Sequence, residues 1–544
     1  MTEAIPNPAT SILETWAALI AVSLGIFIIT LDGTMIPVAI GSIVDDLRIR
    51  VGFVQGAMAL HALVMASAYL AAGKLADRLG EKRIFIVGAL VFAIGVGIAA
   101  FSPNVWVFLL GWSLIKPLGG SMMIPAAASL IVINYEGQQR TLAFGIFSAF
   151  VAAAAVIGPL WMGLLASSWS WRWGLASELF LIVLSLYFAS LVTEKKREFI
   201  AAFDILGSVL TFIGLGLIVL GATLAGELGW WQAKRPLVIG GLELAPMGFS
   251  AAPAFILVGL AILLSYGYWA QRRARRGLAP VFRISLLKNR ILSVGTLMGF
   301  LFNAAVGGLL FVLPVFLQSA LSLGALQTGL VLLPYTLGIF LFALVASRLP
   351  ATVSPFGIVR AGLLSMLVGA FWVYHTASLT LNWGDLIPSL FCLGAGAGMV
   401  LSRLTDIALS TVAPEALGEA TGGNATGKEL GGAFGIAVLG SIFMALMYGN
   451  VVDRYDAYHQ LPEASPENRQ QAVLELEDWA ARLTDERWQT FLDVLPETTS
   501  VAYDSIVSHA YLSGYQTTLL IIAALIGAVI ALSLFLSSSR TRAN

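Results

Sequence analysis

Gly73-Lys74-Leu75-Ala76-Asp77-Arg78-Leu79-Gly80-Glu81-Lys82-Arg83 is a charged run set between two apolar stretches, 53–72 and 84–101. At about 1.5 Å of rise per helical residue, each stretch is long enough to cross roughly 30 Å of bilayer hydrocarbon. The run therefore reads as a tight, basic connection between two membrane helices. Gly73 and Gly80 allow close helix approach and a sharp turn, while Asp77 is placed to pair with a cation or to cap a neighbouring helix.

Working outward, apolar runs of similar length recur at 16–40, 106–133, 141–166, 173–192, 204–226 and 251–270. Six more follow at 291–318, 327–347, 356–376, 385–412, 424–448 and 511–537. The expected fold class is an all-α integral membrane protein of about fourteen spans. Composition agrees: of 544 residues, 58% are hydrophobic and 11% charged, against about 25% charged in soluble domains. A single globular core stops growing near roughly 250 to 300 residues. The lone cysteine, Cys392, lies in an apolar run and reads as a packing residue.

The net charge of zero hides a strong asymmetry. With an even number of spans, Lys74/Arg78/Lys82/Arg83, Lys195/Lys196/Arg197, Arg272/Arg273/Arg275/Arg276, Lys288/Arg290 and Arg540/Arg542 fall on one side. The positive-inside rule makes that side cytoplasmic, with both termini; the expected location is a bacterial inner membrane. Arg172 and Lys234/Arg235 are exceptions on the opposite side, where Trp169 to Trp173 and Trp230/Trp231 suit an aromatic belt. Residues 1–16 hold Glu3 and Glu14 and lack Lys and Arg, so the first span is expected to be retained rather than cleaved. One connection, 450–509, is long; Leu476, Trp479, Ala480, Leu483, Trp488, Phe491, Leu492 and Leu495 recur in it at helical spacing. They predict an amphipathic helix that packs on the outer mouth or docks a periplasmic adaptor.

The run 73–83 resembles, over its whole length, the cytoplasmic signature of the major facilitator superfamily, G-x-L-a-D-r-x-G-r-k-r. Gly158-Pro159-Leu160-Trp161-Met162-Gly163 and Ser170-Trp171-Arg172-Trp173 are similar to the antiporter motif, and the S-W-R-W after it, of the fourteen-helix drug:proton branch. Leu31-Asp32-Gly33-Thr34, 280–290, Leu313-Pro314-Val315-Phe316-Leu317-Gln318 and 418–435 follow the same branch. Met162 replaces an expected glycine, and Pro37 and Gly41 stand where the branch has Asn and Pro. In the fourth span, Ser113 and Lys116 occupy the arginine and glutamine positions of R-x-x-Q-G-x-G.

The resemblance implies two six-helix bundles, 1–200 and 280–544, joined by two additional helices and linker within 201–279, moving by alternating access. Gly73, Asp77, Arg78, Gly80, Lys82 and Arg83 would form a conformational latch; Gly158, Pro159 and Gly163 would form a hinge or seal. It further implies a multidrug efflux antiporter conferring antibiotic resistance.

A charge at mid-bilayer costs on the order of 2.5 to 3.5 kcal/mol on insertion scales, so each one needs a partner, water or a task. Asp32 and Lys116 both count to the middle third of the membrane. Asp32 is expected to exchange protonation for substrate, with Lys116 tuning it; a purely structural ion pair is the alternative. Glu178 is a further candidate for cation binding or coupling, or an interfacial, solvated glutamate. His61 and Asn303 are cavity candidates, and Arg403 with Asp406 forms a local i,i+3 pair.

The function expected is export of lipophilic compounds in exchange for protons. About 150 mV on one charge supplies about 3.5 kcal/mol, enough for a few-hundredfold gradient. The sequence has no phosphate-binding G-x-x-x-x-G-K-[ST] loop, and no cofactor, metal or nucleic-acid partner is expected. Alternatives are export of an endogenous lipid or secondary metabolite, for which a central lysine suits an anion, or a membrane sensor or lipid-modifying enzyme. Four scattered histidines and one cysteine offer little to an enzyme.

Overall fold

In the computed structural model, the described residues are 12–192, 204–231, 233, 237–239, 242–244, 249–349, 353–413, 416–460, 465–480 and 497–540. Among them, fourteen helices are long and apolar enough to cross a membrane. Six come first: α1 (Ile12–Leu47), α2 (Val51–Leu79), α3 (Glu81–Ala100), α4 (Val105–Asn134), α5 (Gly137–Ser168) and α6 (Trp171–Leu191). A pair follows, α7 (Ile205–Leu228) and α8 (Ala252–Arg275). Then come α9 (Arg290–Ser319), α10 (Ala325–Arg348), α11 (Pro355–Thr376), α12 (Ile387–Leu409) and α13 (Leu417–Tyr458). Beyond the loop helix α14 (Pro466–Ala480), α15 (Glu497–Arg540) is the last span. The all-helical expectation is met, with one addition: a short antiparallel hairpin, β1 (Leu237–Ile239) and β2 (Leu242–Leu244), between α7 and α8.

The long connection is shorter than the hydropathy pattern suggests. α13 and α15 run past their apolar segments, and their ends are tied by Tyr455, Tyr458, His459 and Tyr503, with His459 Nε2 3.2 Å from the Tyr503 hydroxyl. Aromatic packing continues these helices where hydrophobicity ends. The amphipathic helix appears as α14, which includes Leu476, Trp479 and Ala480; Leu483, Trp488, Phe491, Leu492 and Leu495 lie outside the described residues. Arg469 fixes α14 to α13 by a two-pronged pair with Asp453, at 2.7 and 2.8 Å.

α1 to α6 pack on one another, and α9 to α13 with α15 form the other half. The halves meet through α2 on α13 and α5 on α10. The α7–α8 pair sits against that seam, where Leu63 of α2, Val219 of α7 and Ala433 of α13 form one small apolar cluster. Asp204 anchors the pair: its carboxylate accepts from the Gly207 and Val281 amides and the Trp269 indole. Arg283 is held by Glu419 through both its amide and its guanidinium.

At the end opposite the basic connection 73–83, the halves are stitched by two glutamines. Gln55 of α2 donates to the Ile436 and Ala437 carbonyls and to Ser441, at 3.0, 2.8 and 3.2 Å. Gln318 of α9 enters the α1 backbone ladder: its Oε1 accepts from the Gly41 amide at 2.7 Å, and its Nε2 donates to the Pro37 and Val38 carbonyls at 3.4 and 3.2 Å. Pro37 and Gly41, the two departures from the family pattern, are thus where α1 receives the other half.

Two predictions follow from this packing. Gly95 of α3 has no room for a Cβ against the Lys116 backbone, so Gly95→Val should lower the thermal midpoint in detergent by the equivalent of about 1 to 3 kcal/mol of overpacking; an unchanged midpoint would show that the helices part freely. Gln318→Ala removes contacts worth about 0.5 to 1.5 kcal/mol each. It should populate a longer distance between spin labels at Arg48 and Asn382, both exposed at that end; an unaltered distribution would mean the glutamine does not hold the halves.

Candidate functional site

Three buried charges gather in the first half. Lys116 Nζ lies 2.5 Å from Asp32 Oδ1 of α1 and 2.8 Å from Glu178 Oε2 of α6, and its side chain is 0% exposed. The Trp112 indole donates to the same Asp32 oxygen at 2.9 Å. His61 of α2 stacks on Trp112 at 4.5 Å, its Nδ1 is 2.8 Å from the Trp112 carbonyl, and its Nε2 is 4.0 Å from Asp32 Oδ2. Phe92 of α3 closes the remaining side, its ring centre 4.9 Å from the ammonium. Five helices therefore contribute to one cluster.

Local sequence explains how Lys116 arrives there. α4 is not a uniform helix: Leu109–Ile115 is a π-helical turn, and regular helix resumes at Lys116. A π-turn inserts residues without breaking the helix and re-aims the side chains beyond it. Gly95, facing the Lys116 backbone, lets α3 come close enough to enclose the stem. The lysine thus displaced from the family's arginine position is directed between two carboxylates.

The two carboxylates are not equivalent. Asp32 receives the ammonium and the indole, whereas Glu178 meets the ammonium as an ion pair outside hydrogen-bond alignment; neither of its oxygens has a hydrogen-bond partner among the described residues. Glu178 is 0% exposed, which removes the interfacial, solvated reading of this residue. With all three groups ionised, the enclosed set carries one net negative charge.

The other candidates are placed as follows. Asn303 donates to the Gly299 carbonyl one turn back in its own helix and does not join the cluster. Arg403 lies 3.6 Å from Asp406, as the spacing suggests, and also donates to the Ala346 carbonyl. In the basic connection, Gly80 makes a turn at φ 98°, and Lys82 donates to the Ser190 and Val192 carbonyls at the end of α6. Lys82 therefore caps a helix of its own half. Gly73 ends near Pro125 of α4, Arg83 is exposed, and the side chains of Asp77 and Arg78 lie outside the described residues.

The antiporter-like segment packs across the seam. Gly158 rests on α1 at Leu31 and Thr34, the Pro159 carbonyl meets Gly329 of α10, and Gly163 meets Ala325 and Leu326. Met162 is fully buried, its thioether filling the space left by Gly174 of α6. Trp171 and Arg172 both donate to Asp46 at the end of α1, at 2.9 and 3.1 Å.

Sequence reasoning missed Trp112, Phe92, Asp46 and the two stitching glutamines. A tryptophan one turn before an intramembrane lysine was a usable signal for the first. Gln318 closes the family-like stretch 313–318, which assigned it no partner, and nothing local marks the rest; the partners are about 24 to more than 300 residues away.

Comparison with known proteins agrees with this architecture. Residues 22–436 match the model of the Major Facilitator Superfamily. The chain is 28% identical to a tetracenomycin C resistance and export protein of Streptomyces glaucescens, over 85% of this chain and 81% of that one. It is also 28% identical to the multidrug efflux pump LfrA of Mycolicibacterium smegmatis, over 82% and 85%. A bacterial homologue of the human lysosomal transporter Spinster, in an inward-facing and unoccupied conformation, shares the fold with a TM-score of 0.55 at 15% identity, covering 96% of this chain and 98% of that one. The protein is a multi-pass membrane transporter rather than an enzyme, and the chain belongs to the Major Facilitator Superfamily.

Proposed function

We propose that this protein exports amphiphilic organic cations from the cytoplasm across a bacterial inner membrane, exchanging each for protons. The observation that carries the reading is the charge count of the enclosed cluster: one ammonium against two carboxylates. An unbalanced charge held away from water is costly. One proton, or one cationic substrate reaching the cluster, neutralises it. Two ligands that compete for one negative charge on opposite sides of a membrane are the thermodynamic requirement for antiport. Asp32, Lys116 and Glu178 are then the coupling groups, with His61 at the edge of the set.

Motion would follow the seam. The glycine and proline contacts of α5 on α10, with the two glutamine stitches, hold the end opposite the basic connection, and their release would open it. The connection 73–83 acts as the cytoplasmic latch in this scheme. The export and multidrug names of the relatives support the direction and the substrate class.

Export of an anionic metabolite gains less support than the sequence suggested. Its argument was the central lysine, and that ammonium is committed to two carboxylates.

In proteoliposomes, a lipophilic cation should release protons from the wild-type protein, and Asp32→Asn and Glu178→Gln should each reduce that release at least tenfold. Proton-coupled transport surviving both substitutions would overturn the reading. Lys116→Met should leave two carboxylates facing one another and lower the thermal midpoint, by the equivalent of about 3 to 5 kcal/mol for a broken buried pair. Adding Glu178→Gln should recover most of that loss, and a failure to recover would show that the lysine acts mainly through packing.

A further inference from the structure

Trp112 holds Asp32 by its indole and His61 by its ring and its carbonyl. The sequence explains why that carbonyl is available. The amide of Lys116 closes the π-turn on the Gly111 carbonyl, five residues back. The next amide in this pattern would reach Trp112, but residue 117 is proline and has none. The Trp112 carbonyl is thereby left for His61 Nδ1, at 2.8 Å. A carbonyl oxygen only accepts, so Nδ1 carries the ring hydrogen and Nε2 of the neutral imidazole presents a lone pair. Nε2 faces Asp32 Oδ2 at 4.0 Å, while Lys116 and the Trp112 indole both hold the other oxygen, Oδ1.

Exposure is as uneven as the contacts. The side chains of Lys116 and Glu178 are 0% exposed and that of Asp32 2%, whereas His61 keeps 14%. Trp112 and Phe92 are buried as well. Leu60, Ala62 and Leu63, in the same turn of α2, pack with Val219 of α7 and Ala433 of α13, so other helices surround this turn. The charged groups around the imidazole are Asp32 of α1 and Lys116 of α4, with Glu178 of α6 beyond the ammonium.

We propose that His61 is the proton port of this cluster, carrying protons one at a time between the space it faces and Asp32. The proposal rests on the antiport reading above. A proton from water bonds to Nε2 and makes the imidazolium, with Nδ1–H still held by the Trp112 carbonyl. The Nε2–H bond then breaks, the proton bonds to Asp32 Oδ2, and the imidazole returns to its neutral form. Net charge on the enclosed set goes from minus one to zero, and the reverse sequence releases the proton. The gap of 4.0 Å leaves a small rotation of ring or carboxylate to complete before transfer. Trp112 is the positioning residue, since it fixes the hydrogen on Nδ1 and binds the acceptor.

The test compares wild type with His61→Gln, full-length in proteoliposomes, transporting tetraphenylphosphonium under an imposed pH gradient. Glutamine keeps a donor for the Trp112 carbonyl but relays no proton. Turnover should fall about tenfold or more, KM for the cation should stay near the wild-type value, and the slowed reaction should acquire a solvent deuterium isotope effect. Unchanged turnover, or a loss carried by KM without an isotope effect, would overturn the proposal. A second measurement does not depend on that variant folding. His375→Gln/His459→Gln/His509→Gln removes the other three histidines and leaves one imidazole for nitrogen-15 NMR in lipid nanodiscs. The neutral ring should carry its hydrogen on Nδ1, and its titration should shift when Asp32→Asn removes the neighbouring charge. A hydrogen on Nε2, or a titration indifferent to Asp32, would overturn the proposal equally.

These outcomes separate from those of the antiport reading. If the wild-type protein moves no protons with the cation, antiport falls, and the NMR experiment, which needs no transport, still decides whether His61 is linked to Asp32. If proton release requires Asp32 while His61→Gln turns over at the wild-type rate, the port falls and antiport stands.

Discussion

An ammonium enclosed between two carboxylates, with no surface open to water, constrains the rest of this molecule. Such a set persists only if the surrounding helices exclude solvent and keep the three groups in register, because removing one partner leaves a buried charge without compensation. The requirement explains several features at once. α4 switches to a π-turn before the lysine, α3 offers a glycine at its backbone, and Phe92 and Trp112 close the sides. The enclosed charges thus coincide with a close approach of α3 to α4.

The cluster is built within one half, whereas the contacts that join the halves are of another kind. Glutamine amides, glycine backbones and a proline carbonyl meet across the seam, and these groups carry no formal charge. Neutral hydrogen bonds are worth about 0.5 to 1.5 kcal/mol each, small enough to be broken and remade during transport. In the proposed antiport the charged set would recognise and exchange, and the hydrogen-bonded seam would open and close. Gln318 illustrates the second role, since its amide takes the place of a backbone bond between Pro37 and Gly41.

The two additional helices are fastened at their base and near the seam. Asp204 gathers the start of α7, the Trp269 indole and the segment leading into α9, while Val219 touches both halves through Leu63 and Ala433. Insertion of this pair therefore leaves the contact of α2 on α13 in place. At the opposite end, continuous aromatic packing lets α13 and α15 rise beyond their apolar segments and carry α14 over the mouth.

The sequence by itself determined the number of spans, the asymmetry of basic loops and the family, because these depend on local quantities: run length, composition and short motifs. It also identified Asp32, Lys116 and Glu178 as costly in a bilayer, since that cost is a property of each residue. It did not determine that all three share one enclosure, nor that Glu178 is shielded from water. Those facts depend on a π-turn that no propensity marks and on residues separated by about 60 positions or more. The role of Gln318 was equally hidden, because its acceptors and donor lie about 280 residues away. Tertiary packing alone decided which polar groups met, since hydrogen bonds and ion pairs require atoms within about 3 to 4 Å and chain order does not set that distance.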